Sequence, residues 1–227
     1  MKLLAIETST EACSAALSIH GEIRERFEIA PRKHAELILP MIDALLSDAS
    51  CSLSQIDAIA FGRGPGAFTG VRIGTAVVQG LAFSIDRPVV PVSSLAAMAY
   101  GAISEFNAEN VLAGIDARMG EVYWGAYQSS NEGGVQLLNN EAVCKPDEAF
   151  MPAAGRWHGV GTAWQTYGAL LAARYGGLLS GTEAEYFPRA GHIAALGVLG
   201  VAAGEAVVAE EAQPVYLRNN VAAKKKV

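Results

Sequence analysis

The sequence predicts an α/β protein made of two related lobes. The first observation is a pair of near-continuous apolar runs, residues 2–8 and 111–116, each typical of a central strand. The second is that an acidic residue stands at the end of each run, Glu7 and Asp116, and these are 109 residues apart. The third is that further strand patterns and then helical patterns follow each run. Two β-β-β-α-β-α halves are the pattern of the two-lobed actin-like, sugar-kinase-like ATPase (ASKHA, ribonuclease H-like) fold.

The first lobe is predicted to span residues 1–104. Three strand patterns are followed by residues 37–46, whose apolar positions recur at the helical period and give one broad apolar face. Pro40 is expected to kink this helix or to mark its first turn. A buried strand then leads into a glycine-rich loop and a second helix. The predicted strands are residues 2–8, 12–19, 22–29, 57–61 and 87–92, and the predicted helices are residues 37–46, 71–84 and 94–104.

The second lobe, residues 105–204, is predicted to repeat the element pattern of the first lobe less clearly. It is predicted to contain strands at residues 111–116, 121–127, 135–138 and 157–161, and helices at residues 164–175 and 192–203. The C-terminal segment, residues 205–227, is expected to close the first lobe.

Composition restricts the class of protein. The chain has 227 residues, of which 51% are hydrophobic, enough for a substantial core. Its net charge of −6 argues against self-sufficient nucleic-acid binding, which needs many cations to displace phosphate counterions. No apolar run approaches the length of a membrane span. The three cysteines, Cys13, Cys51 and Cys144, are odd in number and widely spaced, so a reducing cytoplasm is expected and a disulfide framework or metal site is not.

The glycine-rich loop at residues 62–70 has two alternative interpretations. Gly64, Gly66 and Gly70 permit close backbone approaches, and a loop between a strand and a helix N-terminus suits an anion. The loop is not a Walker A motif, because Gly70 is followed by Val71 and not by the Lys-Ser/Thr pair that the motif requires. Phosphate contact and a purely structural turn both remain open.

The two strand-end acids also have two interpretations. Glu7 and Asp116 are expected to face one cleft, where paired carboxylates could bind magnesium or act as general bases. Alternatively, each carboxylate caps backbone N–H groups of its own loop at the lobe hinge. No nucleophile stands at a recognisable spacing from a histidine, which disfavours a serine hydrolase.

Residues 62–74 (GRGPGAFTGVRIG) are similar to the signature of the TsaB (YeaZ) family, with Ala67 in place of the more usual Ser. Other landmarks of that family occur in the same order and extend the resemblance over nearly the whole chain. They are residues 6–9 (IETS), 33–36 (KHAE), 116–123 (DARMGEVY) and 214–218 (PVYLR).

The resemblance implies a fold and a role. Proteins of this family share the actin-like fold of their catalytic paralogue TsaD and pair with it. Together with the P-loop protein TsaE, the pair supports transfer of threonylcarbamoyl from its adenylate to adenosine 37 of tRNA. We therefore expect a cytoplasmic partner of TsaD and TsaE that meets tRNA only through the complex, with no membrane association and no cofactor of its own.

The resemblance further implies that this chain is not itself catalytic. The paralogue holds its active-site metal with two histidines four residues apart on a helix, and Ser94 and Met98 stand at those positions here. A hydroxyl and a thioether are poor ligands for a metal that prefers imidazole. We expect neither catalytic nor metal-binding residues. The alternative is an autonomous ATP-dependent phosphotransferase or hydrolase on the same fold.

The apolar helices of the first lobe are the expected partner surface. Part of each apolar face must be core, but the stripe between residues 37 and 46 is wide enough for two contacts, and small residues on the next helix would admit a neighbour. Without TsaD, the same helices are expected to form a homodimer, since exposed apolar patches are costly. The candidate interface residues are Leu37, Met41, Leu45, Gly74, Val78 and Leu81.

The chain ends in a basic tail, Lys224, Lys225 and Lys226. A solvated tail is the default interpretation of such a run. Three lysines could add a few phosphate contacts to tRNA but cannot bind it strongly by themselves.

Overall fold

A computed structural model describes residues 1–218, which form two mixed sheets and five α-helices. The basic tail lies outside the described residues. The strands are β1 (Lys2–Glu7), β2 (Ala12–Ile19), β3 (Glu22–Ile29), β4 (Ala58–Gly62), β5 (Val89–Val92), β6 (Asn110–Arg118), β7 (Glu121–Ser129), β8 (Val135–Leu137), β9 (Ala142–Cys144), β10 (Trp157–Val160) and β11 (Leu179–Glu183). The helices are α1 (His34–Asp48), α2 (Phe68–Ile85), α3 (Ser94–Phe106), α4 (Thr162–Tyr175) and α5 (Ala190–Ala202).

The two sheets repeat one topology. The first has the order β3-β2-β1-β4-β5, and the second has the order β8-β7-β6-β10-β11, with the short β9 also paired to β7. In each sheet the first three strands in sequence are antiparallel, and the last two run parallel to the central strand. Residues 3–6 of central β1 are apolar and buried, because helices cover both faces of this strand. This duplication confirms the predicted two-lobed actin-like fold.

Each half of the sequence contributes a helix to the sheet of the other half. Helix α3 packs on β6 and β7, where Leu95 and Met98 join Val111 in one cluster. Helix α5 packs on β1, β2 and β4, where Ile193 meets Leu3. Helices α1 and α2 cover the opposite face of the first sheet. The division of the chain into lobes at residues 1–104 and 105–204 therefore stays a prediction. Helices α3 and α5 each cover the sheet that is formed by the other half of the sequence.

The described part of the C-terminal segment packs against the first sheet. Val207 forms an isolated antiparallel bridge with Val89. Ala212 is fully buried in the cluster beneath α1 and α2, and its carbonyl accepts a hydrogen bond from Gln79 at 2.8 Å. The backbone N–H of Val215 donates to the carbonyl of Arg63 at 2.8 Å. Contact between this segment and the glycine-rich loop supports the proposal that it closes the first lobe.

Element boundaries differ from the sequence predictions at a few places. Helix α1 continues through Pro40, and α2 begins at Phe68, within the glycine-rich stretch. Its N-cap position is Ala67, which has no side-chain oxygen to cap the first turn. The edge strands β9 and β11 were not predicted, because three residues and a polar five-residue segment carry almost no strand pattern.

Helix α2 has the length and composition of a membrane span, contrary to the expectation from the sequence. Its 18 residues have a mean hydropathy of 1.3. The core helix of a soluble protein passes the same test, and Val78 and Ala82 on α2 belong to the core cluster of the first sheet. Length and hydropathy therefore give only weak support for a membrane span.

Candidate functional site

Glu7 is buried at the end of β1 and is hydrogen-bonded to two serines. Its Oε1 accepts from the backbone N–H of Ser9 at 2.5 Å, and its Oε2 accepts from the Ser94 hydroxyl at 2.8 Å. The Ser9 hydroxyl in turn donates to the Ser94 hydroxyl at 2.9 Å. This network joins β1 to the N-terminus of α3, across 87 positions of sequence.

Burial governs the protonation of Glu7. Loss of solvent raises the pKa of this carboxyl above its usual value, although the hydrogen bonds from Ser9 and Ser94 oppose the shift. Gly62 supplies the space that the carboxyl occupies, because a methyl group there would overlap Oε2. The Glu7 side chain is therefore enclosed by protein and does not project into solvent.

The glycine-rich loop packs directly on the chain that follows β1. Methyl groups added at Gly66 and Gly70 would overlap the backbone carbonyls of Ser9 and Thr8. The Thr8 hydroxyl donates to the Gly70 carbonyl at 2.8 Å, and the Ala67 N–H donates to the Ser9 carbonyl at 2.7 Å. Gly64 has a φ of +92°, a conformation that glycine adopts most readily. These contacts support the structural interpretation of the loop; its contact with phosphate stays a prediction.

Asp116 repeats part of the Glu7 arrangement in the second lobe. Its Oδ1 accepts from the backbone N–H of Arg118 at 2.8 Å, just as Glu7 accepts from the residue two positions later. The Arg118 guanidinium pairs with Asp116 Oδ2 at 3.0 Å and with Glu11 of the first lobe at 3.0 Å. The Thr166 hydroxyl also donates to Oδ2, at 3.3 Å. Each acid thus caps a backbone N–H of the loop that follows its strand, and a hinge at this place stays a prediction.

A cleft of about 180 Å³ separates the lobes at this hinge. Asp116 and Arg118 line it, together with Ser9 and the exposed rings of Phe68 and Tyr216. Glu7 is buried and does not reach it. The expectation that Glu7 and Asp116 face one cleft as paired carboxylates is therefore wrong, because the hydroxyl network around Ser94 encloses the first acid.

Ser94 and Met98, the two positions that the family resemblance compares with metal-binding histidines, belong to the protein interior. Ser94 is fully buried in the Glu7 network, and Met98 is fully buried in the core between α3 and the second sheet. Across residues 1–218, no group of three or more His, Cys, Asp or Glu side chains is placed to hold a metal ion.

The candidate interface residues lie mostly inside the chain. Four of the six are buried: Met41, Leu45, Gly74 and Val78. The side chains of Met41, Leu45 and Val78 belong to the hydrophobic cluster that covers the first sheet. This is what the core alternative predicts for these four positions. Leu37 and Leu81 are half-buried and pack against the same cluster. A partner could reach only the last two without displacing the core.

Other residues of α1 and α2 are exposed to solvent. Phe83 is 72% exposed and Leu39 is 47% exposed. Ala76 and Gly80 lie on the exposed side of α2, and a methyl group added at Gly80 would meet no described atom within 4 Å. We call Leu39, Ala76, Gly80 and Phe83 the outer face. The sequence analysis missed the outer face because it selected interface residues by helical periodicity. That periodicity identifies the buried side of a helix.

Comparisons with known proteins agree in family. A protein-family model described as TsaD, tRNA N6-adenosine threonylcarbamoyltransferase, matches residues 27–226. The protein from Escherichia coli strain K12 named tRNA threonylcarbamoyladenosine biosynthesis protein TsaB is 45% identical, over 99% of this chain and 98% of its own length. The TsaB protein of Haemophilus influenzae is 42% identical, over 99% of this chain and 97% of its own length.

A solved structure extends this likeness to three dimensions. The structure described as YeaZ from Pseudomonas aeruginosa superposes with a TM-score of 0.89 at 48% sequence identity, and covers 95% of this chain and 99% of that one. Full-length identity at this level, together with the same fold, shows that the chain belongs to the TsaB (YeaZ) family.

Proposed function

We propose that this chain is the non-catalytic partner of TsaD in tRNA threonylcarbamoyladenosine biosynthesis. Its relatives are named for that pathway, and the match covers their whole length. In this role the chain completes TsaD and makes it competent for transfer of threonylcarbamoyl to tRNA. We propose a cytoplasmic location, where such a complex would meet its tRNA.

The enclosed Glu7–Ser94 network is the observation that carries the non-catalytic assignment. The Ser94 hydroxyl donates to Glu7 and thereby joins helix α3 to strand β1. The family resemblance compares this position with a metal-binding histidine of the paralogue. Glu7 is in turn removed from the cleft between the lobes. A partner protein needs the fold and its surface, and an internal network of this kind stabilises both.

An autonomous phosphotransferase is less well supported. Asp116, the acid that does line the cleft, is engaged by Arg118 and Thr166. A general base or magnesium ligand would have to give up these contacts before it acted.

The outer face of α1 and α2 is the proposed contact surface for TsaD. Phe83 and Leu39 are the anchors it offers, since large side chains that are exposed in the free protein gain most from burial at an interface. Gly80 leaves room for a second helix to approach closely. The same surface is proposed to hold a homodimer when TsaD is absent. TsaE is the second proposed partner. Contact with tRNA is proposed to be indirect, through the complex, because the net charge of this chain is −6.

Reconstitution tests the proposal. Purified chain, TsaD and TsaE are combined with tRNA and threonylcarbamoyl adenylate, and transfer is measured with each subunit omitted in turn. We expect transfer to fall to background when this chain is omitted, and no steady ATP turnover by this chain alone. Full transfer without it would refute the partner role, and steady ATP hydrolysis by the isolated chain would favour the alternative enzyme.

A further inference from the structure

A second cavity, far larger than the hinge cleft, has a volume of about 710 Å³. It lies where the second sheet meets helix α5 and the end of β5, so residues of both lobes line it. We call it the α5 cavity. Its lining combines polar and aliphatic side chains, and the aliphatic part includes Leu196 and Leu199 of α5 and Val135 and Leu137 of β8.

The floor of the α5 cavity carries a carboxylate with a free oxygen. The Glu141 side chain is only 9% exposed. Its Oε1 accepts from the Tyr127 hydroxyl at 2.5 Å and from the Ser93 hydroxyl. Its Oε2 has one cationic neighbour, Arg63 Nη2 at 3.9 Å, which is beyond hydrogen-bond distance. Within residues 1–218, no group donates a hydrogen bond to Oε2. Because Glu141 lines the cavity, a bound ligand could supply this donor.

The rim of the α5 cavity is acidic. Glu132 follows β7 and Glu205 follows α5, and both side chains are exposed. Among the residues that line the cavity, three carboxylates are opposed by one guanidinium, which leaves two negative charges. A complementary ligand has two positive charges and an apolar body, with one charge for the floor and one for the rim.

We propose that the α5 cavity binds an aliphatic diamine or polyamine. One ammonium group donates to Glu141 Oε2, the methylene chain lies along Leu196 and Leu199, and the second ammonium reaches Glu132 and Glu205. Bound in this way, the ligand would connect helix α5, which covers the first sheet, to the β7–β8 edge of the second. The inference does not depend on the proposed function.

A titration series on the wild-type chain tests the ligand class. The probes are 1,6-diaminohexane, hexylamine, hexanol and magnesium chloride, measured at low ionic strength by calorimetry and by backbone amide chemical shifts. We expect the diamine to bind about threefold or more tightly than hexylamine, and hexylamine to bind more tightly than hexanol. The shifts should centre on Ser93, Ser130 and Gly134. Equal binding of hexanol or magnesium, shifts centred on Asp116, or no saturation by roughly 10 mM diamine would overturn the proposal.

Two variants separate the floor from the rim. Glu141→Gln keeps an oxygen acceptor for Tyr127 and Ser93 but removes the charge, and we expect it to weaken both amines about tenfold, equivalent to about 1.4 kcal/mol. The paired change Glu132→Gln and Glu205→Gln alters exposed positions only, and we expect it to weaken the diamine and leave hexylamine unchanged. Glu148→Gln, at an exposed site outside the cavity, is the charge-matched control. Equal loss in the control, or a rim variant with full diamine affinity, would refute the assignment.

Discussion

The exposed ring of Phe83 gives the most direct test of the proposed partner surface. The side chain is 72% exposed near the C-terminal end of α2. A phenylalanine buries roughly 200 Å² when fully covered, so about 140 Å² is open to a partner. At ~25 cal/mol per Å², complete coverage would contribute about 3.5 kcal/mol, and half coverage about 2 kcal/mol.

Phe83→Ser should therefore weaken TsaD binding roughly thirtyfold, the equivalent of about 2 kcal/mol. The free energy of unfolding of the isolated chain should change by no more than about 0.5 kcal/mol, because the ring contributes little to the monomer core. Binding is measured by calorimetry with purified TsaD, and stability by urea unfolding. Threonylcarbamoyl transfer at limiting concentration should fall in parallel with affinity.

Leu170→Ser is the matched control for this prediction. Leu170 is a large apolar residue on α4 of the second lobe and is 43% exposed. We expect it to leave TsaD binding intact. Wild-type affinity in Phe83→Ser combined with a loss in Leu170→Ser would refute the outer-face assignment and move the partner surface to the second lobe.

Four further changes follow from the same contacts. Gly80→Leu should keep or raise the melting temperature, since leucine favours a helix by up to about 1 kcal/mol over glycine, but it should weaken TsaD binding in calorimetry. Gly168→Leu is the control, because Gly168 also faces open space on a helix, and it should leave TsaD binding unchanged. Equal binding by the two variants would count against a close helix approach at Gly80. Met41→Asp should unfold the chain, seen by circular dichroism, because it buries a charge in the core; a folded variant that loses only TsaD binding would restore Met41 to the interface. Ala67→Ser should stabilise the chain by about 1 kcal/mol in urea unfolding by capping α2, and an unchanged midpoint would contradict that. The raised pKa of Glu7 means that its contribution to stability is greatest below its unfolded pKa and is lost as pH rises. Glu7→Gln should therefore gain stability relative to wild type as the pH rises above 4.5, the usual pKa of the carboxyl, and a pH-independent difference in urea unfolding would refute this.

The fold class and the family could be predicted from the amino-acid sequence. Apolar runs ending in Glu7 and Asp116 marked the central strands of both lobes, and these strands do occupy equivalent places in two sheets of one topology. Local patterns suffice here, because strand and helix periods and the glycine loop are properties of short segments. The resemblance at residues 62–74 added the family, and full-length relatives agree with it.

The contacts of individual side chains could not be predicted in this way. Glu7 is enclosed because Ser94, far away in sequence, donates to it, and no local pattern announces such a contact. Periodicity identified Met41 and Val78 as apolar-face residues, but it could not say that the first sheet covers that face and leaves Phe83 outside. The α5 cavity likewise joins Arg63 to Glu141, which no spacing connects. All three contacts escape sequence analysis for the same reason. Burial and charge pairing depend on long-range packing, whereas sequence periodicity shows only which residues share a side of one helix or strand.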